Sequence, residues 1–240
     1  MISYLPCLFS ASTMKRFCRI FNFLFFSVLF LLPTQVTAQT INSLEIAQKL
    51  QSTYKKATSL VADFNQTTSI QFSDRVRHGS GSMIFLKPGR MRWDYFTPDH
   101  QIIISDGETI TMYFGKSKQM IISNARDYLQ SDVTYSFFSG TGDILKDFVI
   151  DEADFKNTRE NSYLIKLTPK STHPHVSYIH AWVSDDSFLL EHLQIVDHFD
   201  TVTDLFFESL EIDSNSYGDR EITKDIFSYT PPPDTEIIKQ

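Results

Sequence analysis

The chain has 240 residues, with 22 Lys and Arg against 29 Asp and Glu and a formal net charge of -7. That length lets one domain bury a sizeable core, while the acidic balance argues against nucleic acid as a partner and repels the chain from anionic lipid at long range. Both cysteines, Cys7 and Cys18, lie in the first 38 residues, so the rest must fold without disulfides and without thiol chemistry. Residues 1–38 hold no Asp or Glu, and Lys15, Arg16 and Arg19 precede the apolar stretch Ile20–Leu32, Pro33 and the small-residue site Val36-Thr37-Ala38. This is the layout of a secretory signal peptide, with Met14 as its natural start. The apolar run is shorter than the ~20 residues that span a bilayer. Cleavage after Ala38 is expected, leaving a soluble exported chain, one domain over residues 39–240, with 19 basic against 29 acidic residues and a net charge of -10.

Ile41, Leu44, Ala47, Leu50, Tyr54 and Ala57 recur at spacings of three or four and predict an amphipathic helix over 41–57, with Asn42 and Glu45 at capping-box spacing. The period then changes to two. Leu60, Ala62 and Phe64 alternate with polar neighbours, and runs at Ser82–Leu86, Met91–Phe96, Gln101–Ser105, Thr109–Phe114 and Gln119–Ser123 predict antiparallel strands, with Asp106-Gly107 as a hairpin turn. Residues 124–148 break the alternation, mixing Phe137, Phe138, Ile144, Leu145 and Phe148 with Gly140 and Gly142, and read as short helical turns on a candidate lid. Strands resume at Tyr163–Thr168, Ser177–Val183, Phe188–Val196, Val202–Ile212 and Ile226–Tyr229.

About eleven strands with one long helix make an α+β domain. A meander of that length curls and acquires a concave face that one helical stripe cannot cover. Met91, Trp93, Tyr95, Met112 and Phe114, at alternate positions, then either fill a core or line an apolar cavity, and parity leaves both readings open.

Motifs for catalysis are lacking: there is no G-x-S-x-G, H-E-x-x-H, P-loop or dinucleotide glycine fingerprint. His173, His175 and His180 are the one metal candidate, but Pro174 intervenes and no third ligand of fixed spacing follows, so no metal and no cofactor are expected. Asp197, His198 and Asp200 read as a turn, with an orienting role toward Ser209 as the enzymatic alternative. Lys87, Arg90 and Arg92 either hold orphan carbonyls at a helix end or lid, or keep a strand edge soluble.

The stretch KPGRMRWDYFTPDHQIIISDGETITMYF at 87–114 resembles the signature of the periplasmic outer-membrane lipoprotein carrier family, LolA, in which R-P-x-x-F-R-W-D, a Pro, a Gln and S-D-G-x-x-L-W-x-Y follow in this order. ADFNQ at 62–66, LIKLTPK at 164–170 and DIFSYTPPPDTEII at 225–238 extend the resemblance over nearly all of the expected mature chain. The resemblance implies an incomplete, half-open antiparallel β-barrel with a helical lid, whose interior holds lipoprotein acyl chains. It makes Leu50, Phe64, Trp93, Tyr95, Ile103, Met112, Phe114, Phe137 and Phe138 the candidate cavity lining. It also implies a lid lock: the family's Arg before the Pro bonds lid carbonyls in the empty state, and here that position is Lys87, with Arg90 or Arg92 as substitutes. A lysine lacks the planar fork of arginine. The implied function is a non-enzymatic, monomeric periplasmic carrier between an inner-membrane ABC-type release complex and an outer-membrane receptor lipoprotein. The alternatives are a LolA-like carrier of another lipid or glycolipid, and a sensor of the same fold that binds a membrane partner.

Overall fold

Helix α1 (Ser43–Lys56) starts where Asn42 accepts the Glu45 N–H on its side-chain oxygen at 2.8 Å, and it carries Glu45 in its first turn and Lys55 and Lys56 in its last. Both ends therefore complement the helix dipole, and the apolar stripe Ile46, Ala47, Leu50 and Tyr54 is buried. This computed structural model describes residues 41–71, 73, 75–125, 133–138 and 142–240. The expected signal segment, and residues 126–132 and 139–141 of the expected lid, lie outside the described residues.

After α1 come β1 (Ser59–Ser69), β2 (Val76–Leu86), β3 (Arg90–Thr97), β4 (Gln101–Ser105), β5 (Thr109–Phe114) and β6 (Gln119–Asn124). Two short helices, α2 (Val133–Phe138) and α3 (Ile144–Asp147), lead to β7 (Phe148–Glu152), β8 (Ser162–Pro169), β9 (Tyr178–Ser184), β10 (Leu190–Val196) and β11 (Val202–Ile212). A two-stranded ribbon, β12 (Ser216–Tyr217) and β13 (Arg220–Glu221), a 3-10 turn (Lys224–Phe227) and β14 (Glu236–Lys239) end the chain. The large sheet runs β14-β6-β5-β4-β3-β2-β1-β11-β10-β9-β8-β7, so β1 joins the two meanders and the edges β14 and β7 leave the sheet unclosed. Among the described residues every pairing is antiparallel except β14 with β6. Residues Ile41–Gln240 form one compact unit.

The sheet is rolled. Neighbouring strands stand about 4.8 Å apart, so a flat sheet would hold β4 and β10 about 24 Å from each other. Yet Ile103 of β4 and Ile195 of β10 border the same hollow. On the inner face Leu60, Ala62, Phe64, Met83, Phe85, Met91 and Trp93 pack with the α1 stripe and with Phe138. On the outer face of β2 to β6, Ile84, Ile102, Ile104, Tyr113 and Met120 pack beneath Tyr217, Ile226 and Phe227. Burial on both faces explains the unbroken apolar run Ile102–Ile104.

Among the described residues the large sheet has twelve strands, against about eleven expected. Two sequence expectations change. Ile226 and Phe227, expected in a strand, are consecutive and both buried, which suits a 3-10 turn and not alternation; the last strand forms instead at Glu236–Lys239, past Pro231-Pro232-Pro233, whose residues cannot donate to a ladder. Val76–Ser80 and Phe148–Glu152 are also strands, although polar and glycine content in the first and exposure of Val149, Asp151 and Glu152 in the second hide the period. The Asp106-Gly107 turn forms as expected: Asp106 Oδ1 accepts from the N–H groups of Glu108 and Thr109 at 2.9 and 2.8 Å, and Gly107 takes φ +102°.

Candidate functional site

The inner face of β1 and β3 presents an aromatic floor. The ring of Phe64 lies 4.9 Å from those of both Trp93 and Tyr95, between centroids. Above it α2 acts as a plug, with the Phe138 ring 5.6, 5.3 and 5.3 Å from those of Tyr54, Phe85 and Phe207, and the Phe137 ring 4.6 Å from Tyr54. Six residues are too few to hold a helix by propensity, so these ring contacts and the Tyr135 O–H bond to the Gly89 carbonyl at 3.1 Å keep α2 seated. Tyr54 is anchored in turn, its hydroxyl accepting the Leu190 N–H at 3.0 Å, and burial pushes its phenol well above the ordinary tyrosine range.

Two hollows remain beside the plug, and Thr134 and Ile195 border both. One, about 410 Å³ counting its open mouth, is walled by Leu50, Phe137, Ile144, Leu167, Ile179 and Leu193. The other, about 640 Å³ on the same basis, is walled by Met91, Trp93, Tyr95, Ile103, Leu205 and Gln66. The smaller hollow's wall is almost wholly apolar, while the larger adds Gln66, Tyr95, Thr134, Tyr135 and Thr203 to its apolar residues, so the arrangement offers dispersion contacts to an apolar body and a few polar groups beside them.

The residues named from the sequence fall as follows. Leu50 and Phe137 border the smaller hollow; Trp93, Tyr95 and Ile103 border the larger. Phe64 and Phe138 are buried within the packing itself, at 1 % and 2 % exposure. Met112 is half-buried against the inner core, cross-strand from Ile103. Phe114 is half-buried opposite Gln101 and Gln119 and borders neither hollow. Sequence reading missed the walls supplied by β8 to β11, although Thr203, Leu205 and Phe207 alternate as clearly as Met91, Trp93 and Tyr95 do.

Lys87 donates from Nζ to the Tyr54 and Lys55 carbonyls at 2.5 and 3.3 Å. It thus grips the C-terminal end of α1, where a cation meets the negative end of the helix dipole. Burial pulls its ammonium below the usual lysine range against the opposing charge of Asp213. Lys87→Met is expected to lower stability by about 1–2 kcal/mol, read as a reduced urea midpoint at unchanged slope, because two α1 carbonyls lose a charged donor.

Arg90 and Arg92, expected as substitutes in a lid lock, face the other way. Alternation along β3 puts 90, 92 and 94 opposite to the inner positions 91, 93 and 95. Arg92 is buried in a forked pair with Asp94, Nε to Oδ2 at 2.6 Å and Nη2 to Oδ1 at 3.0 Å, and its Nη1 donates to the Ile226 carbonyl at 2.8 Å. Arg90 is half-buried and its side chain makes no hydrogen bond among the described residues.

The other sequence candidates do not converge. Asp197 caps its own turn through the N–H groups of Phe199 and Thr201, whereas Ser209 lies seven residues along β11 from Val202, about 23 Å away on an extended strand. His180 is buried against Gln194, away from the exposed His175. Among the described residues no group of three His, Asp or Glu side chains is placed to hold a metal ion.

Comparison with known proteins agrees with this architecture. The outer-membrane lipoprotein carrier protein of Nitrosomonas europaea is 29% identical over 209 residues, spanning 87% of this chain and 93% of that one. Its counterpart in Legionella pneumophila is 26% identical over 220 residues, 91% of this chain and 100% of that one. The crystal structure of an uncharacterized conserved protein from Thermus thermophilus superposes with a TM-score of 0.51 at 10% identity, over 82% of this chain and 98% of that one, and shares the fold. The family described as Outer membrane lipoprotein carrier protein LolA matches residues 55–229, well over half of the chain, and the protein belongs to that family.

Proposed function

We propose that this protein is a non-enzymatic periplasmic carrier that shelters the acyl chains of lipoproteins in the inner-face hollow while moving them from an inner-membrane ABC-type release complex to an outer-membrane receptor lipoprotein, working as a monomer. The observation that carries this reading is the double hollow beside α2, one part apolar and the other mixed, with walls from both meanders. Leaving a membrane costs about 0.8 kcal/mol per CH₂, so an acyl chain of ~15 methylenes exposes roughly 12 kcal/mol of hydrophobic free energy unless it is covered. A carrier has to offset most of that and still release its cargo. Displacement of Phe137 and Phe138 supplies the counterweight, because the plug's own burial is lost when cargo enters. Lys87, holding α1 beside the plug, is the proposed lock on that rearrangement.

The test is native: the protein is purified from its own periplasm and the bound species identified by mass spectrometry. Lipidated protein N-termini are the expected finding. Free glycolipid or another lipid as the sole cargo would transfer the reading to a carrier of that lipid, and an empty protein that takes up no lipidated peptide in vitro would overturn it.

A further inference from the structure

The inner face changes character along its strands. On β1 the inner positions run Leu60, Ala62, Phe64 and then Gln66 and Thr68, while on β11 the matching positions run Phe207, Leu205 and then Thr203. On β3 the sequence Met91, Trp93, Tyr95 ends in a hydroxyl beside Gln66. The result is a continuous polar row at one end of the hollow. Tyr95 O–H donates to Gln66 Oε1 at 3.0 Å, Gln66 Nε2 donates weakly to Thr68 Oγ1 at 3.4 Å, and the Thr68 and Thr203 hydroxyls stand 3.2 Å apart. Gln66, Tyr95 and Thr203 all border the larger hollow, whose remaining wall is mostly apolar.

Across from this row β2 has glycines. Gly81 faces Phe64 and Gly79 faces Gln66 in the β1–β2 register. A Cβ at Gly81 would fall 1.9 Å from the Asp94 carbonyl oxygen and 2.9 Å from the Phe64 ring, and one at Gly79 would touch the Tyr95 ring at 3.5 Å. Lacking side chains, the two glycines let the Phe64 and Tyr95 rings and the β3 backbone approach β2 closely.

Resting on the carrier reading above, we propose that Gln66 and Thr203 form a head subsite that donates hydrogen bonds to the carbonyls joining acyl chains to the polar head of the cargo, with Tyr95 holding the Gln66 amide in place through its own O–H. The second N–H of Gln66 Nε2, and the Thr203 hydroxyl when Thr68 donates to it, are donors where ester and amide carbonyls are acceptors. Hydrocarbon chains slide freely in an apolar hollow, so a few placed polar groups are what set depth and orientation. The row fixes how far the chains enter beneath α2 and leaves the attached polypeptide outside.

The experiment titrates the whole mature chain with a synthetic diacylglyceryl-cysteinyl peptide and with its dialkyl-ether counterpart, which has the same chains without the two ester carbonyls. The wild type is expected to bind the ester form at least tenfold more tightly than the ether. Gln66→Leu and, separately, Thr203→Val are expected to weaken the ester form by about tenfold for the first and less for the second, with the ether form unchanged, so the preference collapses. Equal binding of ester and ether by the wild type would overturn the subsite while leaving the carrier reading intact, and so would equal weakening of both ligands in the variants. The wild-type ratio decides even if Gln66→Leu does not fold. Failure of the wild type to bind either ligand would sink the carrier reading and the subsite together.

Discussion

Arg92→Met is expected to destabilise the protein by about 3–5 kcal/mol, because it strands the buried Asp94 carboxylate. Asp94 is 7 % exposed, and its oxygens are matched by Arg92 on both sides and by the Tyr217 O–H at 2.7 Å on Oδ2. The same substitution frees the Ile226 carbonyl, so the 3-10 turn at Lys224–Phe227 loses its tie to β3. Two measurements follow. Urea unfolding should show the loss, and limited proteolysis should cut first near 224–229. A paired change, Arg92→Met with Asp94→Leu, removes the orphaned charge and should recover a large part of the stability, since an ion pair replaced whole by apolar groups is often neutral. If the double variant is no more stable than the single one, the cost lies in the lost grip on the C-terminal segment and not in the stranded carboxylate. The pairing is intelligible in the motif itself: Arg92 and Asp94 flank Trp93, so one strand puts an aromatic wall inside and a buried ionic clasp outside.

Phe138→Ala is expected to move stability and affinity in opposite directions. The ring is 2 % exposed and packs on Tyr54, Phe85, Phe137 and Phe207. Truncating a buried phenylalanine costs about 3–5 kcal/mol when the surroundings cannot relax, so the empty protein should unfold at lower urea. In the proposed function cargo entering beneath α2 displaces that same ring, and the contacts it loses are charged against binding. A variant without the ring does not lose them, so recovery of only about 1.4 kcal/mol on loading tightens the cargo dissociation constant about tenfold. The expected result is a lower urea midpoint without cargo together with at least tenfold tighter uptake of a lipidated peptide. Stability and affinity falling together would mean that Phe138 stays in place as wall and that the chains enter elsewhere.

Short-range chemistry was readable directly from the chain. Helix α1 was visible because Ala47, Leu50 and Tyr54 recur at the helical period and Asn42 sits in capping position, although Leu44, read into the same stripe, is exposed and Ile46 is buried in its place; strands at Gln101–Ser105, Thr109–Phe114 and Val202–Ile212 were visible because alternation and turn residues act within a few positions. The family could be read too, from four separated motifs in order. What remained open was anything settled by partners distant in the chain. Period-two alternation says that Arg92 and Trp93 part company but not which one faces in; that was decided by α1 and α2 covering one face and residues 217–229 the other. Arg92 finds its carbonyl partner 134 residues away, and β14 pairs in parallel with β6, contacts for which no local pattern exists. The hollow is of the same kind: its walls come from two meanders joined only at β1, so it exists once the sheet rolls and brings Ile103 and Ile195 to one space. Local periods determine the elements because they depend on backbone geometry over a turn or a hairpin, whereas the face that becomes a cavity depends on which distant surfaces pay the entropy of meeting.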